Sequence, residues 1–150
     1  MKFVYGKRSV EQLETCHEDL KKILYMAISV CDVDFGVSEG NRSIERQYKL
    51  YIEGKSQIDG KLKKGKHNSK PSEAADIYIY TRDLETRRKI AYDRVHLAYV
   101  AGVITTCAKI LCERGEIKHL IRWGGNWNGN GILLIDQSFD DMPHFEIIKV

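Results

Sequence analysis

The chain has 150 residues, 43% of them hydrophobic and 30% charged, with a formal net charge of +3. That size and balance fit one globular domain, residues 1–150, with a core of its own, and leave no room for a second folded domain. No apolar run approaches the roughly 18 residues of a membrane span, and the mixed, polar stretch from Met1 to Arg8 is not a secretory signal, so neither an anchor nor export is expected.

Ser9 followed by Gln12 has the form of a capping box, and Leu13, Cys16, Leu20, Ile23, Ala27 and Val30 recur behind it at helical spacing. A first helix is predicted over Val10–Val30. Val33 to Val37 alternates apolar with small or polar residues and predicts a short strand, followed by turn chemistry from Ser38 to Arg42. A second helix from Ser43 to Glu53 stops at Gly54. Lys55 to Ser72 is polar and longer than most connections in compact domains, which marks a functional or disordered loop. Within it, Lys61-Leu-Lys-Lys-Gly-Lys66 gathers four lysines in six residues and favours an anionic partner. No aromatic residues are interleaved there, so nucleic acid is not the expected one.

Strand character resumes at Ala74–Tyr80, with Ala75, Ile77 and Ile79 on one face and Asp76, Tyr78 and Tyr80 on the other. A long helix is predicted from Leu84 to Glu113, buried through Ile90, Leu97, Ala101, Ile104, Ala108 and Leu111, with Gly102 either a close-packing point or a weak spot and Gly115 the stop. The glycine-rich stretch Trp123–Gly131 and a last strand, His144–Ile148, complete the chain. Cys16, Cys31, Cys107 and Cys112 lie in apolar stretches without a C-x-x-C pair and read as reduced core residues. Helices interleaved with short, separated strands predict an α+β domain.

Three polar side chains stand where strand and loop meet: His67, Asp76 and His144. Taken singly, each fits an ordinary structural role. Together, two imidazoles and a carboxylate are the ligand set of a catalytic zinc site whose fourth position is left to water. His67-Asn-Ser-Lys-Pro-Ser-Glu-Ala-Ala-Asp76 sets a His nine positions before an Asp, and Asp141-Met-Pro-His144 sets a carboxylate three residues ahead of the second His.

These segments, with Val37-Ser-Glu-Gly-Asn-Arg-Ser43, Gln47, Gly54-Lys-Ser56, Trp123-Gly-Gly-Asn-Trp127 and Asp141-Met-Pro-His-Phe-Glu146, resemble the D-Ala-D-Ala carboxypeptidase superfamily. Within it they resemble the phage L-alanyl-D-glutamate endopeptidases. The resemblance spans nearly the whole chain. It departs from the family in the longer His-to-Asp spacing, with Pro71-Ser72 in the place of a glycine, and at Asn126, where an acid is commoner.

The resemblance implies a hedgehog/D,D-peptidase-like fold, a small antiparallel sheet flanked by helices. It also implies one Zn²⁺ per chain on His67, Asp76 and His144, with Asp141 as general base and Arg42 holding the substrate carbonyl or its oxyanion. Glu146 is expected to orient a zinc ligand, and Trp123, Trp127 and Ser38 to line the substrate groove. Asp140 is a competitor for the base role. Zinc-dependent cleavage of the L-Ala-D-Glu bond in the peptidoglycan stem, by a monomeric endolysin with no separate wall-binding domain, is the expected activity. The enzyme would wait in the host cytoplasm and reach the wall after a holin permeabilises the membrane. A D,D-carboxypeptidase and a non-catalytic zinc-stabilised binding module are the rival expectations.

Overall fold

The computed structural model describes residues 2–150. Among them the elements run α1 (Lys7–Leu13), α2 (Glu18–Val30), β1 (Phe35–Glu39), α3 (Ile44–Ile52), a 3₁₀ turn (Lys66–Asn68), β2 (Ala74–Ile79), α4 (Leu84–Ile90), α5 (Arg94–Glu113), β3 (His119–Gly124) and β4 (Asp141–Lys149). The four strands form one antiparallel sheet in the order β1-β2-β4-β3. This is the expected α+β arrangement of helices on a small antiparallel sheet.

Strand alternation divides the sheet into two faces. Ala75, Ile77 and Ile79 of β2, Phe145 and Ile147 of β4 and Trp123 of β3 are buried in the core beneath α2 and α5. The register pairs Asp76 with His144 and Arg122 with Glu146, which puts all four on the opposite face. Each fully buried Phe or Ile contributes about 1.5–3 kcal/mol. Slipping β4 by one residue would lose that burial and turn His144 and Glu146 into the core. The apolar residues thereby fix the position of the polar ones.

The predicted helix Val10–Val30 is two helices. Between them the backbone turns out to meet the Lys55–Ser72 loop: Ser72 N–H donates to Thr15 O and His17 N–H to Ser72 O, both at 2.8 Å. Ser9 and Gln12 are not a capping box either. The Ser9 hydroxyl accepts from Val37 N at 2.9 Å, Gln12 Oε1 from Gly40 N at 3.0 Å and Thr15 Oγ1 from Asn41 N at 2.8 Å. Three polar side chains of α1 and its exit thus hold the end of β1 and the turn leading to Arg42.

The predicted helix Leu84–Glu113 is also two. Ala91 O leaves the helical ladder to accept from Ile79 N, and Asp93 caps α5 by accepting from His96 N at 3.1 Å. Gly102 is exposed, and a Cβ there would meet nothing within 4 Å, so it is not a close-packing point. Contrary to the sequence reading, α5 has the length and apolar composition of a membrane span. Its Leu97, Val100, Ala101, Ile104, Cys107, Ala108 and Leu111 are buried in this core. β3 was not foreseen, and β4 opens at Asp141 rather than His144.

Candidate metal centre and groove

Asp76 and His144 face each other across β2 and β4, and His67 reaches them from the 3₁₀ turn. His67 Nε2 lies 3.2 Å from both Asp76 Oδ1 and His144 Nδ1, and His144 Nδ1 lies 3.3 Å from Asp76 Oδ1. Three atoms of metal-ligand type therefore surround one point, and the group could hold a metal ion.

The other ring nitrogens decide what each imidazole offers. His67 Nδ1 is 2.7 Å from Gly40 O, and a carbonyl only accepts, so Nδ1 carries the proton and Nε2 turns a lone pair inward. His144 Nε2 is 2.8 Å from Glu146 Oε2, which by the same argument leaves Nδ1 as the inward lone pair. Glu146 is buried and is itself held by Arg122, whose Nε donates at 2.9 Å and whose Nη2 donates to the same oxygen. Burial alone would raise the Glu146 pKa, but the bonds to His144 and Arg122 bring it down to about 2. In the chain alone, burial disfavours the His144 imidazolium, yet the bonds to Asp76 and Glu146 prevail and raise it to about 9. Burial likewise opposes the Asp76 carboxylate, and the two imidazoles hold it well below the usual range.

Arg42 braces Asp76. Its backbone N–H donates to His67 O at 2.7 Å, and its Nη2 donates to Asp76 Oδ2 at 3.2 Å. The same guanidinium donates from Nε and Nη2 to Glu39 Oε1, at 2.9 and 2.6 Å, and from Nη1 to Gln47 Oε1 at 3.0 Å. Burial would raise the Glu39 pKa, but Arg46 and Arg42 hold it down. Four of the five guanidinium N–H groups are used in this way, and one on Nη1 remains. Gln47, buried on α3, donates from its amide to Ser56 Oγ and Ile58 O, both at 2.8 Å, and so ties the start of the lysine loop to Arg42.

Asp141 opens β4 beside the triad, with Oδ2 4.0 Å from His144 Nδ1. Burial and the neighbouring Asp76 carboxylate push its pKa up, against the pull of His144, His67 and Arg42. Asp140 points elsewhere: Arg94 Nη2 donates to it at 3.3 Å and Gln137 Nε2 at 2.8 Å. The triad and Asp141 lie in a groove of about 1060 Å³ that also includes Ser38, Trp127 and the basic residues Arg46, Lys55, Lys63 and Lys64. Ser38 donates its hydroxyl to Asp76 O at 3.2 Å. The Trp127 ring lies 5.5 Å from that of His144 and stacks on Phe139 at 6.4 Å. Trp123 is buried beneath the sheet, its indole N–H donating to Met142 O at 2.7 Å, and it does not line the groove.

The residues outside the sequence expectation are Glu39, Gln47 and Arg122. Glu39 and Gln47 fall within segments that resemble the family but have no role that follows from their spacing, and nothing local in the sequence pairs Arg122 with Glu146.

Two imidazoles, a carboxylate and a second carboxylate at the edge of a basic groove form the donor set of a metal-dependent hydrolase. The family model for phage L-alanyl-D-glutamate peptidases matches residues 1–148, and the chain belongs to that family. It is a peptidoglycan peptidase. Among solved structures, the Serratia marcescens L-Ala D-Glu endopeptidase ChiX is similar, with a TM-score of 0.71 and 26% sequence identity over 97% of this chain and 90% of that one. No curated protein sequence matches the chain.

Proposed function

We propose that the chain, acting as a single catalytic domain, cleaves the L-Ala-D-Glu bond of the peptidoglycan stem with one Zn²⁺ on His67, Asp76 and His144. One observation carries the metal assignment. Zinc ligands about 2.0–2.1 Å from a tetrahedral centre stand roughly 3.3–3.4 Å from one another. The three separations here, 3.2, 3.2 and 3.3 Å, match that spacing to within about 0.2 Å. The outer ring nitrogens are held by Gly40 O and Glu146, so each neutral imidazole turns its lone pair inward, His144 after releasing one proton.

Zinc in such a site lowers the pKa of water from 15.7 toward roughly 7 and polarises the scissile carbonyl. Asp141 takes the proton of the attacking water and delivers it to the leaving nitrogen. Its raised pKa suits that exchange, because a carboxylate far below the working pH is a poor acceptor. The remaining Nη1 N–H of Arg42 is the donor available to a developing oxyanion. Glu146 holds His144, Trp127 supplies an apolar wall, and the lysines of the groove attract the anionic stem. The enzyme works as a monomer. Made in the host cytoplasm, it depends on a holin to reach the wall.

The test is digestion of intact peptidoglycan, with the new termini identified by mass spectrometry. N-terminal D-Glu is expected, whereas free D-Ala would indicate a D,D-carboxypeptidase. Asp141→Ala should lower turnover about 10²–10⁴-fold while one zinc per chain remains bound. Full activity in that variant would remove Asp141 from the mechanism.

A further inference from the structure

A second cluster repeats the chemistry of the first where α2 begins. His17 caps the N-terminus of α2, Asp19 lies in its first turn, and His119 opens β3. One ligand atom from each lies within 4.8 Å of the other two. The imidazole rings stand 5.0 Å apart at 70°, against 5.0 Å and 68° for His67 and His144. Asp19 Oδ2 accepts from His119 Nδ1 at 2.7 Å and from Lys118 N at 2.9 Å. Asp19 Oδ1, His17 Nε2 and His119 Nε2 make no hydrogen bond among the described residues. All three side chains are part-exposed, so a hydrated ion can reach them.

We propose that His17, Asp19 and His119 form a second divalent-cation site, selective for zinc-like ions, that clamps α2 to the sheet. Two imidazoles and one carboxylate suit Zn²⁺, Ni²⁺ or Cu²⁺ better than the oxygen-seeking Ca²⁺ or Mg²⁺. The site is distinct from the catalytic one because α2 and β3 supply its residues and it does not border the groove.

It is also the weaker of the two. His17 Nδ1 accepts from Asp19 N at 3.0 Å, so a neutral His17 carries its proton on Nε2. Ligation through Nε2 moves that proton to Nδ1, and ligation through Nδ1 takes the lone pair; either way the helix cap is lost. At the catalytic site ligation uses the inward nitrogens and leaves the outward bonds to Gly40 O and Glu146 in place, so no helix cap is given up. The two sites should therefore fill in order, with the catalytic one first.

The experiment titrates Zn²⁺ alone into chain already carrying one equivalent, following imidazole resonances in long-range ¹H–¹⁵N spectra. A second equivalent should shift the His17 and His119 rings and leave those of His67 and His144 in place. Equilibrium dialysis should then give two zinc ions per wild-type chain. His17→Gln/His119→Gln should bind one and keep peptidase activity. His67→Gln/His144→Gln should retain only the weaker site. Ca²⁺ should cause no shift. A single equivalent in the wild-type chain, or a second one that leaves the His17 and His119 resonances unmoved, would overturn the proposal. The wild-type spectra decide the question even if the variants fail to fold.

Discussion

Gly124→Ala should disable the enzyme without touching a ligand. Gly124 is the last residue of β3 and pairs with Asp141 at the point where the register shifts. A Cβ on Gly124 would lie 2.7 Å from the Asp141 carbonyl carbon and nearer still to its oxygen, whereas ordinary contact begins at 3.4 Å. The obstacle is backbone, which cannot rotate away as a side chain can. The two strands must then part by at least about 0.7 Å, carrying Asp141, the proposed base, with them, and a displacement near 1 Å can reduce rate about 10²-fold. His67 and Asp76 sit on other elements, and His144, three residues further along β4, keeps its pairing with Asp76, so zinc should stay bound. Steady-state hydrolysis of a stem-peptide substrate, with metal content and circular dichroism measured in parallel, provides the assay. A folded, zinc-loaded Gly124→Ala within about twofold of wild-type kcat would refute the argument that this close approach places Asp141.

Glu146→Gln should weaken zinc binding about 10–100-fold, because the amide no longer holds His144 by a charged acceptor; competition with a chromogenic chelator measures it. The raised pKa of His144 gives a pH dependence of known sign. With that pKa near 9 in the chain alone, a cation at pH 7 must displace a proton. Apparent zinc affinity should therefore rise about tenfold per pH unit from 7 toward 9 and then level, with proton release seen in calorimetry across buffers; a flat profile would count against the assignment. Arg42→Lys should lose metal affinity as well as turnover, since a lysine cannot reach Glu39, Gln47 and Asp76 at once. If zinc binding in that variant equals wild type, bracing of Asp76 by Arg42 is unimportant.

Much of the site was readable because the chemistry sits on regular structure. In Ala74-Ala-Asp-Ile-Tyr-Ile, a polar residue interrupts a period-two apolar row, which marks Asp76 as the side chain facing away from the core. Phe145 between His144 and Glu146 marks β4 in the same way. The helix breaks were hidden for the opposite reason: apolar periodicity continues through Cys16 and past Ile90, while the breaks rest on backbone bonds to Ser72 and Ile79, distant in sequence, together with the caps at His17 and Asp93. β3 was missed because His119, Leu120, Ile121 and Arg122 are all part-buried, so no alternation shows. The lysine loop is ordered by contacts that composition cannot reveal. Asp59 Oδ1 accepts from the N–H groups of Lys61, Leu62 and Lys63, and Lys61 lies 3.6 Å over the Tyr48 ring.

The donor count at Arg42 changes how the centre should be understood. An arginine kept only for an oxyanion would present an open fork to the groove. Here the fork is closed on Glu39, Gln47 and Asp76, and a single N–H is left. Each of the three side chains is fixed by a group outside the triad: His67 by Gly40 O, His144 by Glu146 and Arg122, Asp76 by Arg42 and Glu39. The Gly40 carbonyl belongs to the turn that Gln12 of α1 and Thr15 just beyond it hold in place. The placement of the three side chains is therefore set from both ends of the chain, by α1 through the turn and by β3 through Arg122. A substitution at Gln12, which the groove does not include, should consequently loosen His67 before it destabilises the core.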